Sequence, residues 1–497
     1  MLARLFKTKS LDSILNDSEN AEHRLKRALG AMDLIALGIG AIIGAGIFAT
    51  IGTAAAGGAH HLGAGPALVI SFLLTAIACA FSAFCYAEFA SLIPIAGSAY
   101  TYAYATLGEF VAWIIGWDLI LEYAVGNVAV AIAWSEYFAS LLRGFGIHIP
   151  PWLLTNYWAA KPEIIQAAPH LMGIPILFNL PAVLIVAFIT WILVIGIKES
   201  CTFNAYIVLI KILILLFVIA VGFFYIRPEN WSPFAPNGWK GIQTGAAIIF
   251  FAYIGFDAIS TAAEETKNPE KNLPIGMLGS LVICTVIYIA VTLVVTGMVP
   301  SSQLGVADPL AQAFAALNLN WASGIISLGA VIAMTAVLLV FQMGQPRIFF
   351  SMSRDGLLPK FFARIHPKYR TPHVTTIMTG ILVAFFAAFC KIDEIIELCN
   401  IGTLFAFVLV CGGIIALRFT DKDRPRPFRC PGIYEVRLAG HRLLLPVVPI
   451  LGILSCFYLM LGLPLVTWIR FVVWLAVGLI LYFSYGYWKS RIGRQPA

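Results

Sequence analysis

The 497-residue chain is 60% hydrophobic and only 11% charged, with a mean hydropathy of +0.89. Soluble domains carry about a quarter charged residues, so these figures exclude a water-soluble globule and call for a polytopic membrane protein. The net charge of +7 does not point to nucleic acid, because the basic residues gather in loops between apolar stretches.

Residues 1–30 are polar and lack the basic head, short apolar core and small-residue cleavage site of a signal peptide, so the first span itself is expected to direct insertion. A span needs about 20 mostly apolar residues. Twelve candidates follow: Leu34–Ala54, Gly65–Phe89, Phe110–Leu142, Leu180–Ile197, Ala205–Ile226, Ile242–Thr261, Pro274–Val299, Trp321–Gln345, Val374–Phe389, Glu394–Leu417, Leu444–Leu463 and Val466–Tyr487. The ninth is short and runs almost into the tenth. Helix stops at Pro94-Ile95-Ala96-Gly97, Asn268-Pro269 and Gly63-Ala64-Gly65-Pro66 support this map.

Twelve spans place both termini on one side. If that side is cytoplasmic, 25 of the 32 Lys and Arg residues fall inside, including Arg418, Lys422, Arg424, Arg426, Arg429, Arg437 and Arg442 of one basic loop. Six fall outside: Arg143, Lys161, Arg227, Lys240, Lys391 and Arg470. The positive-inside rule favours that orientation. The remaining one is Lys211, within the fifth span.

The first span reads GIGAIIGAGIF over residues 38–48. Four glycines, Gly38, Gly40, Gly44 and Gly46, weaken it, since each costs about 1 kcal/mol against alanine in a helix. Two readings compete. Small residues allow close helix packing in membranes. Alternatively the helix is broken, which is tolerated at mid-depth only where the freed backbone is buried in protein or lines a cavity. If the first ten spans form two halves of five, span six takes the matching place, and its stretch Gly245–Ser260 carries Gly255 beside Asp257. Two interrupted segments at corresponding positions point to a transporter site between inverted halves.

Cysteine, histidine and carboxylate patterns add no catalytic or metal chemistry. The nine cysteines are scattered, mostly in apolar runs, without metal-ligand spacing, and the eight histidines lie singly or as His60-His61. No metal, no cofactor and no enzyme activity are therefore expected. Nothing forms a nucleotide-binding loop, which excludes a primary pump within this chain, and no repeated pore loop suggests a channel.

The stretches GIGAIIGAGIF (38–48), CYAEFASLIPIAGSAYTYAYATLGE (85–109), GWDLILEY (116–123), FFAYIGFDAISTAAEETKNPEKNLPIG (250–276), SMSRDGLLP (351–359) and NIGTLFAF (400–407) resemble the amino acid–polyamine–organocation transporters. Within that superfamily they resemble the cationic amino acid transporter branch and its bacterial relatives. The resemblance covers about residues 25–490 and is most specific over 250–276. It implies an all-α membrane protein with a five-plus-five inverted repeat of the leucine-transporter type, two extra helices, and spans 1 and 6 discontinuous. The corresponding division is 1–30 cytoplasmic segment, 31–226 first repeat, 227–417 second repeat, 418–443 basic loop, 444–487 last two spans and 488–497 tail.

An amino acid zwitterion needs an opposite pole for each charge. Freed amides around Ile43, Gly44, Ala45 and Gly46 suit the carboxylate, and freed carbonyls around Phe250, Phe251, Ala252 and Ile254 suit the ammonium. The family's binding backbone maps onto these positions. Many relatives carry Thr or Ser where this chain has Ala45, so a hydroxyl contact is missing. Lys211 admits two readings. Its long side chain can snorkel to water. Alternatively it is buried, where the charged form is disfavoured; in proton-coupled relatives a fifth-span lysine stands where sodium-coupled ones hold a cation. Thr335 is a weaker candidate for the same place. Asp118 and Glu122 share a helix face, Asp118 as a solvated interfacial charge and Glu122 deeper. Glu122, Asp257 and Phe341 are pathway or gate candidates, Glu88 a hinge partner, and Glu136 a wet outer residue.

The expectation is thus a proton-coupled importer of L-amino acids in a bacterial inner membrane, with membrane lipid as its surroundings and its oligomeric state unspecified. Small neutral substrates are favoured, with cationic ones open. An Arg/Lys exchanger and a non-transporting amino acid sensor are the rivals.

Overall fold

The computed structural model describes residues 5–9, 28–58, 61–93, 98–196, 201–421, 424–438 and 441–491. The stop at residues 94–97 and the basic residues Arg4, Arg24, Lys26, Arg27, Lys198, Lys422 and Arg494 lie outside these ranges. The described chain is almost wholly helical. Its main helices are α1 (Ala31–Ile42), α2 (Gly46–Ala56), α3 (Gly65–Leu92), α4 (Ser98–Thr106), α5 (Glu109–Gly144) and α6 (Leu180–Ile195). Next come α7 (Cys201–Phe223), α8 (Gly238–Ile249), the 3₁₀ segment α9 (Phe256–Glu265) and α10 (Pro269–Met298). The chain ends with α11 (Asn320–Arg354), α12 (His373–Phe389), α13 (Ile392–Thr420), α14 (Val447–Met460) and α15 (Leu465–Lys489).

Among the described residues, eight helical stretches are long and apolar enough to cross a membrane, and nine if α1 and α2, bent by 41°, count as one. The short α6, α12 and α14 are apolar but have only 16, 17 and 14 residues. An apolar helix therefore stands on each of the twelve expected stretches, but three fall below the usual spanning length. The eleventh stretch starts later than expected. Ile433–Leu438 pairs antiparallel with His441–Pro446, so the helix begins only at Val447.

The packing builds inward from α3, α10 and α1. α10 lies along both α1 and α3, α11 along α5, and α7 against α1, α10 and α11. Small residues set several of these contacts. A Cβ at Gly38 would strike Ser280 and Ile259, and one at Gly329 would strike Ile214. Polar anchors hold the periphery. Trp113 Nε1 donates to Gly478 O and Trp117 Nε1 to Trp474 O, both at 2.9 Å, fixing α15 on α5.

Glu88 differs from its expected hinge role. It is fully buried at the end of α3. Its Oε2 accepts from Arg418 Nη2 at 2.5 Å and from the Cys430 amide at 2.7 Å, while Arg426 Nε lies 3.2 Å from Oε1. This triad ties α3, the end of α13 and the following basic loop together. Removing one member of a buried ionic network leaves uncompensated charge and costs about 3–5 kcal/mol. Glu88→Leu should accordingly lower the melting temperature in detergent sharply, and melting at the wild-type temperature would contradict the assignment.

Asp118 also departs from expectation. It is 1% exposed, because α5 lies inside the bundle with 89% of its most apolar window buried. Glu136 is half-buried rather than open to water. Cys79, Cys85, Cys284, Cys390, Cys399, Cys411, Cys430 and Cys456 are unbridged, and all of these are buried except Cys390, which is half-buried.

Candidate functional site

The first break follows Ile42. Ile43 leaves the helix in an extended conformation (φ −75°, ψ 101°), and α2 restarts at Gly46. The last carbonyls of any α-helix lack intrahelical partners, and here side chains from other helices take them. Lys211 Nζ donates to Gly40 O at 2.6 Å and to Ile43 O at 2.9 Å. Tyr288 Oη donates to Ile42 O at 3.0 Å. Lys211 is 0% exposed, so the snorkelling reading is set aside: its amine nitrogen rests on the freed carbonyl oxygens of the first break. On the far side of the break, Phe48 N reaches Gly44 O at 3.4 Å. The amides just ahead of Phe48 face the opening of a helix, where no intrahelical acceptor exists.

The second break follows Ile249. One 3₁₀ turn, Phe250–Tyr253, leads to extended Ile254 (ψ 134°) and then to Gly255 at φ 117°. That dihedral demands glycine. Beyond it the chain runs on as 3₁₀ helix rather than α-helix. Asn400 of α13 donates through Nδ2 to Ala247 O at 2.9 Å and to Ile248 O at 3.0 Å.

The two breaks touch. A Cβ at Gly46 would fall within the backbone of Ala252, and one at Gly255 would lie 3.0 Å from the carbonyl of Ala41. Ile43, Gly44, Ala45, Gly46, Phe250, Phe251, Ala252 and Ile254 are all buried around this contact. Both sequence readings of the glycines hold. Gly38 and Gly44 serve packing, Gly44 against the Val337 side chain, whereas Gly46 and Gly255 let the breaks meet.

The acids gather on α5 and α9. Glu122 lies in a π-turn, Leu121–Val125, that interrupts α5, and Asp257 opens α9. They are close enough to interact electrostatically, and Tyr86 lies close to both. Asp257 sits against the backbone at the start of α9 and faces the Glu122 carboxyl. Phe341 is buried on the Tyr123 ring at 5.8 Å, beside Gly126. Thr335 does not join Lys211. Its hydroxyl bonds Val331 O at 2.7 Å and accepts from Trp134 Nε1 at 2.9 Å.

An open cleft of about 430 Å³ is lined by His61, Lys240, Gln243, Thr244 and Leu461–Pro464. Gln243 and Thr244 lie on α8, so the cleft borders the half-helix that runs to the second break. Sequence reasoning missed Tyr288 and Asn400, since one tyrosine or asparagine in an apolar run carries no spacing signal.

The amino acid permease family signature matches residues 29–484. The chain is 47% identical over 495 residues to the branched-chain amino acid permease BcaP of Bacillus subtilis, covering 99% of this chain and 100% of that protein. It is also 47% identical over 493 residues to the methylthioribose transporter of the same organism, covering 99% and 100%. Identity to the vacuolar cationic amino acid transporter 4 of Arabidopsis thaliana is 38% over 425 residues, covering 84% of this chain and 68% of that protein.

Proposed function

This chain belongs to the amino acid permease family, and from that premise we propose that it is a secondary transporter importing small neutral L-amino acids by alternating access, coupled to protons. The observation that carries the reading is the contact between the two helix breaks, Gly46 on Ala252 and Gly255 on Ala41. That contact supports the reading because it brings the amide start of one half-helix beside the carbonyl end of the other in a buried, low-dielectric place. The amides ahead of Phe48 take the carboxylate, and the carbonyls of Phe250, Phe251, Ala252 and Ile254 take the ammonium. Ala45 offers no hydroxyl, so backbone alone holds the carboxylate. Methylthioribose has neither charge, which is why an amino acid fits these poles better.

In this reading the chain crosses the membrane twelve times with both termini cytoplasmic. Residues 31–226 and 227–417 are the inverted repeats, flanked by the segment 1–30, the basic loop 418–443, the spans of 444–487 and the tail 488–497. Lys211 carries the coupling proton. Glu122, Asp257 and Phe341 line the path on one side of the breaks, and Thr335 supports α5 through Trp134. A second reading, transport of Arg or Lys, draws on the Glu122–Asp257 pair, which offers a negative pole to a cationic side chain.

Proteoliposome uptake of radiolabelled alanine, competed by leucine, arginine, lysine and methylthioribose at two pH values, tests these readings together. Accumulation of alanine driven by an acidic exterior is expected, and block by leucine would extend the proposed specificity to larger neutral side chains. Blocking by arginine alone would favour the second reading, and uptake only against preloaded amino acid would mark an exchanger. Binding without accumulation would mark a sensor and sink the proposal.

A further inference from the structure

Two helices break in this fold, and each break strands carbonyl oxygens away from water. At the first, Lys211 and Tyr288 supply the missing donors. At the second, Asn400 donates to both Ala247 and Ile248, which are among the last four carbonyls of α8. Both partners are acceptors, so the amide nitrogen must face them. Asn400 is 0% exposed and its Oδ1 accepts no hydrogen bond among the described residues. A filler residue would not be polar here, and an amide serving only its own helix would be satisfied at both ends.

We propose that Asn400 is a positioning residue of the substrate site, holding the carbonyl end of the second break as Lys211 holds that of the first. The inference rests on the transport reading above. The two residues occupy corresponding helices: α7 is the fifth span of the first repeat and α13 the fifth of the second. Each reaches the broken first span of its own half. Their chemistry differs in one respect that matters. A lysine can release its proton and so loosen its grip on its carbonyls, because the neutral amine is the weaker donor. A carboxamide has no proton to release across the working pH range. The first break is therefore switchable and the second permanently clamped. Asn400 fixes the orientation of the turn Phe250–Tyr253, whose carbonyls receive the ammonium, without taking part in the proton step.

Three variants separate this from a merely structural role. Asn400→Leu and Asn400→Asp keep the size but lose the double donor, whereas Asn400→Gln keeps the amide on a longer arm. Uptake of L-leucine, or of L-alanine if wild type accumulates that better, is measured in proteoliposomes across a pH series. The Leu and Asp variants should raise KM about tenfold or more, as expected when a buried carbonyl pair loses its donor. Their pH profile should keep the wild-type midpoint, and the Gln variant should fall between. KM within twofold of wild type for both Leu and Asp would overturn the proposal. So would a moved pH midpoint, which would place Asn400 in the proton step. Should neither variant survive reconstitution, Asn400→Ser, read by the thermal shift that the same amino acid induces in detergent, decides: a wild-type concentration dependence overturns it, a tenfold weaker one supports it. Failure of the transport reading looks different, since wild type itself would then accumulate no amino acid.

Discussion

Replacing Lys211 by methionine is expected to abolish uptake driven by a proton gradient, down to the level of empty liposomes. The side chain keeps its length but loses its charge and its donors. The carbonyls of Gly40 and Ile43, bonded at 2.6 and 2.9 Å in the native chain, are then left bare in a fully buried place. Each unsatisfied buried group costs about 1–3 kcal/mol, enough to shift the geometry of the first break. Lys211→Arg sharpens the test. Arginine supplies the donors but stays charged at every working pH, so the break is held while the proton cannot leave. This variant should retain exchange of labelled for unlabelled amino acid and lose accumulation driven by a pH gradient. Unaltered proton dependence in Lys211→Met would remove Lys211 from the coupling step. Loss of exchange in Lys211→Arg would instead point to a purely steric fault.

Lys211 was legible because a charge inside IVLIKILILL has few explanations, all of them physical. Its partners were not legible as such: the sequence marks Gly40 and Ile43 only as part of a glycine-rich span, and the pairing spans 171 and 168 residues. The same distance hides the Glu88 triad. Arg418 lies 330 residues from Glu88, and both looked like ends of separate spans. Asp118 was misread for a related reason. Helical spacing tells which residues share a face, but in a bundle that face can meet protein as readily as water, and α5 is surrounded. The three short helices show the opposite limit. Hydropathy locates α6, α12 and α14 well, yet the bounding Asn179-Leu180-Pro181, Pro372 and Pro446 trim them below a nominal span. The expected topology rests on charge counting over loops, a signal summed over many residues. Site geometry depends on single contacts, and those the sequence does not sum.

Gly46→Ala should eliminate transport while leaving the protein in the membrane, with uptake reduced at least a hundredfold. The added Cβ falls into the main chain of Ala252, close to its Cα, Cβ and nitrogen. Main chain cannot rotate away as a side chain can, and the turn it belongs to is held by Asn400 through Ala247 and Ile248. The two breaks must part, and with them the amide and carbonyl poles that hold one zwitterion. Overpacking of this kind costs about 1–3 kcal/mol or more, and a displacement of about 1 Å at a site can cost a hundredfold by itself. Gly44→Ala provides the control. There the new Cβ meets only a side chain, Val337, at 2.8 Å from Cγ2; that stiff side chain must shift with its helix, but no main chain lies in the way, so a smaller loss than for Gly46→Ala is expected. Gly255→Ala should behave like Gly46→Ala, because φ 117° is strained for any L side chain and the carbonyl of Ala41 blocks the space. Ala252→Gly in the Gly46→Ala background removes the Cβ contact but not the Cα, so it should not restore uptake. The ordering is the test. If Gly44→Ala proves as severe as Gly46→Ala, the glycines act through general helix packing, and the contact between the breaks loses its claim to be the site.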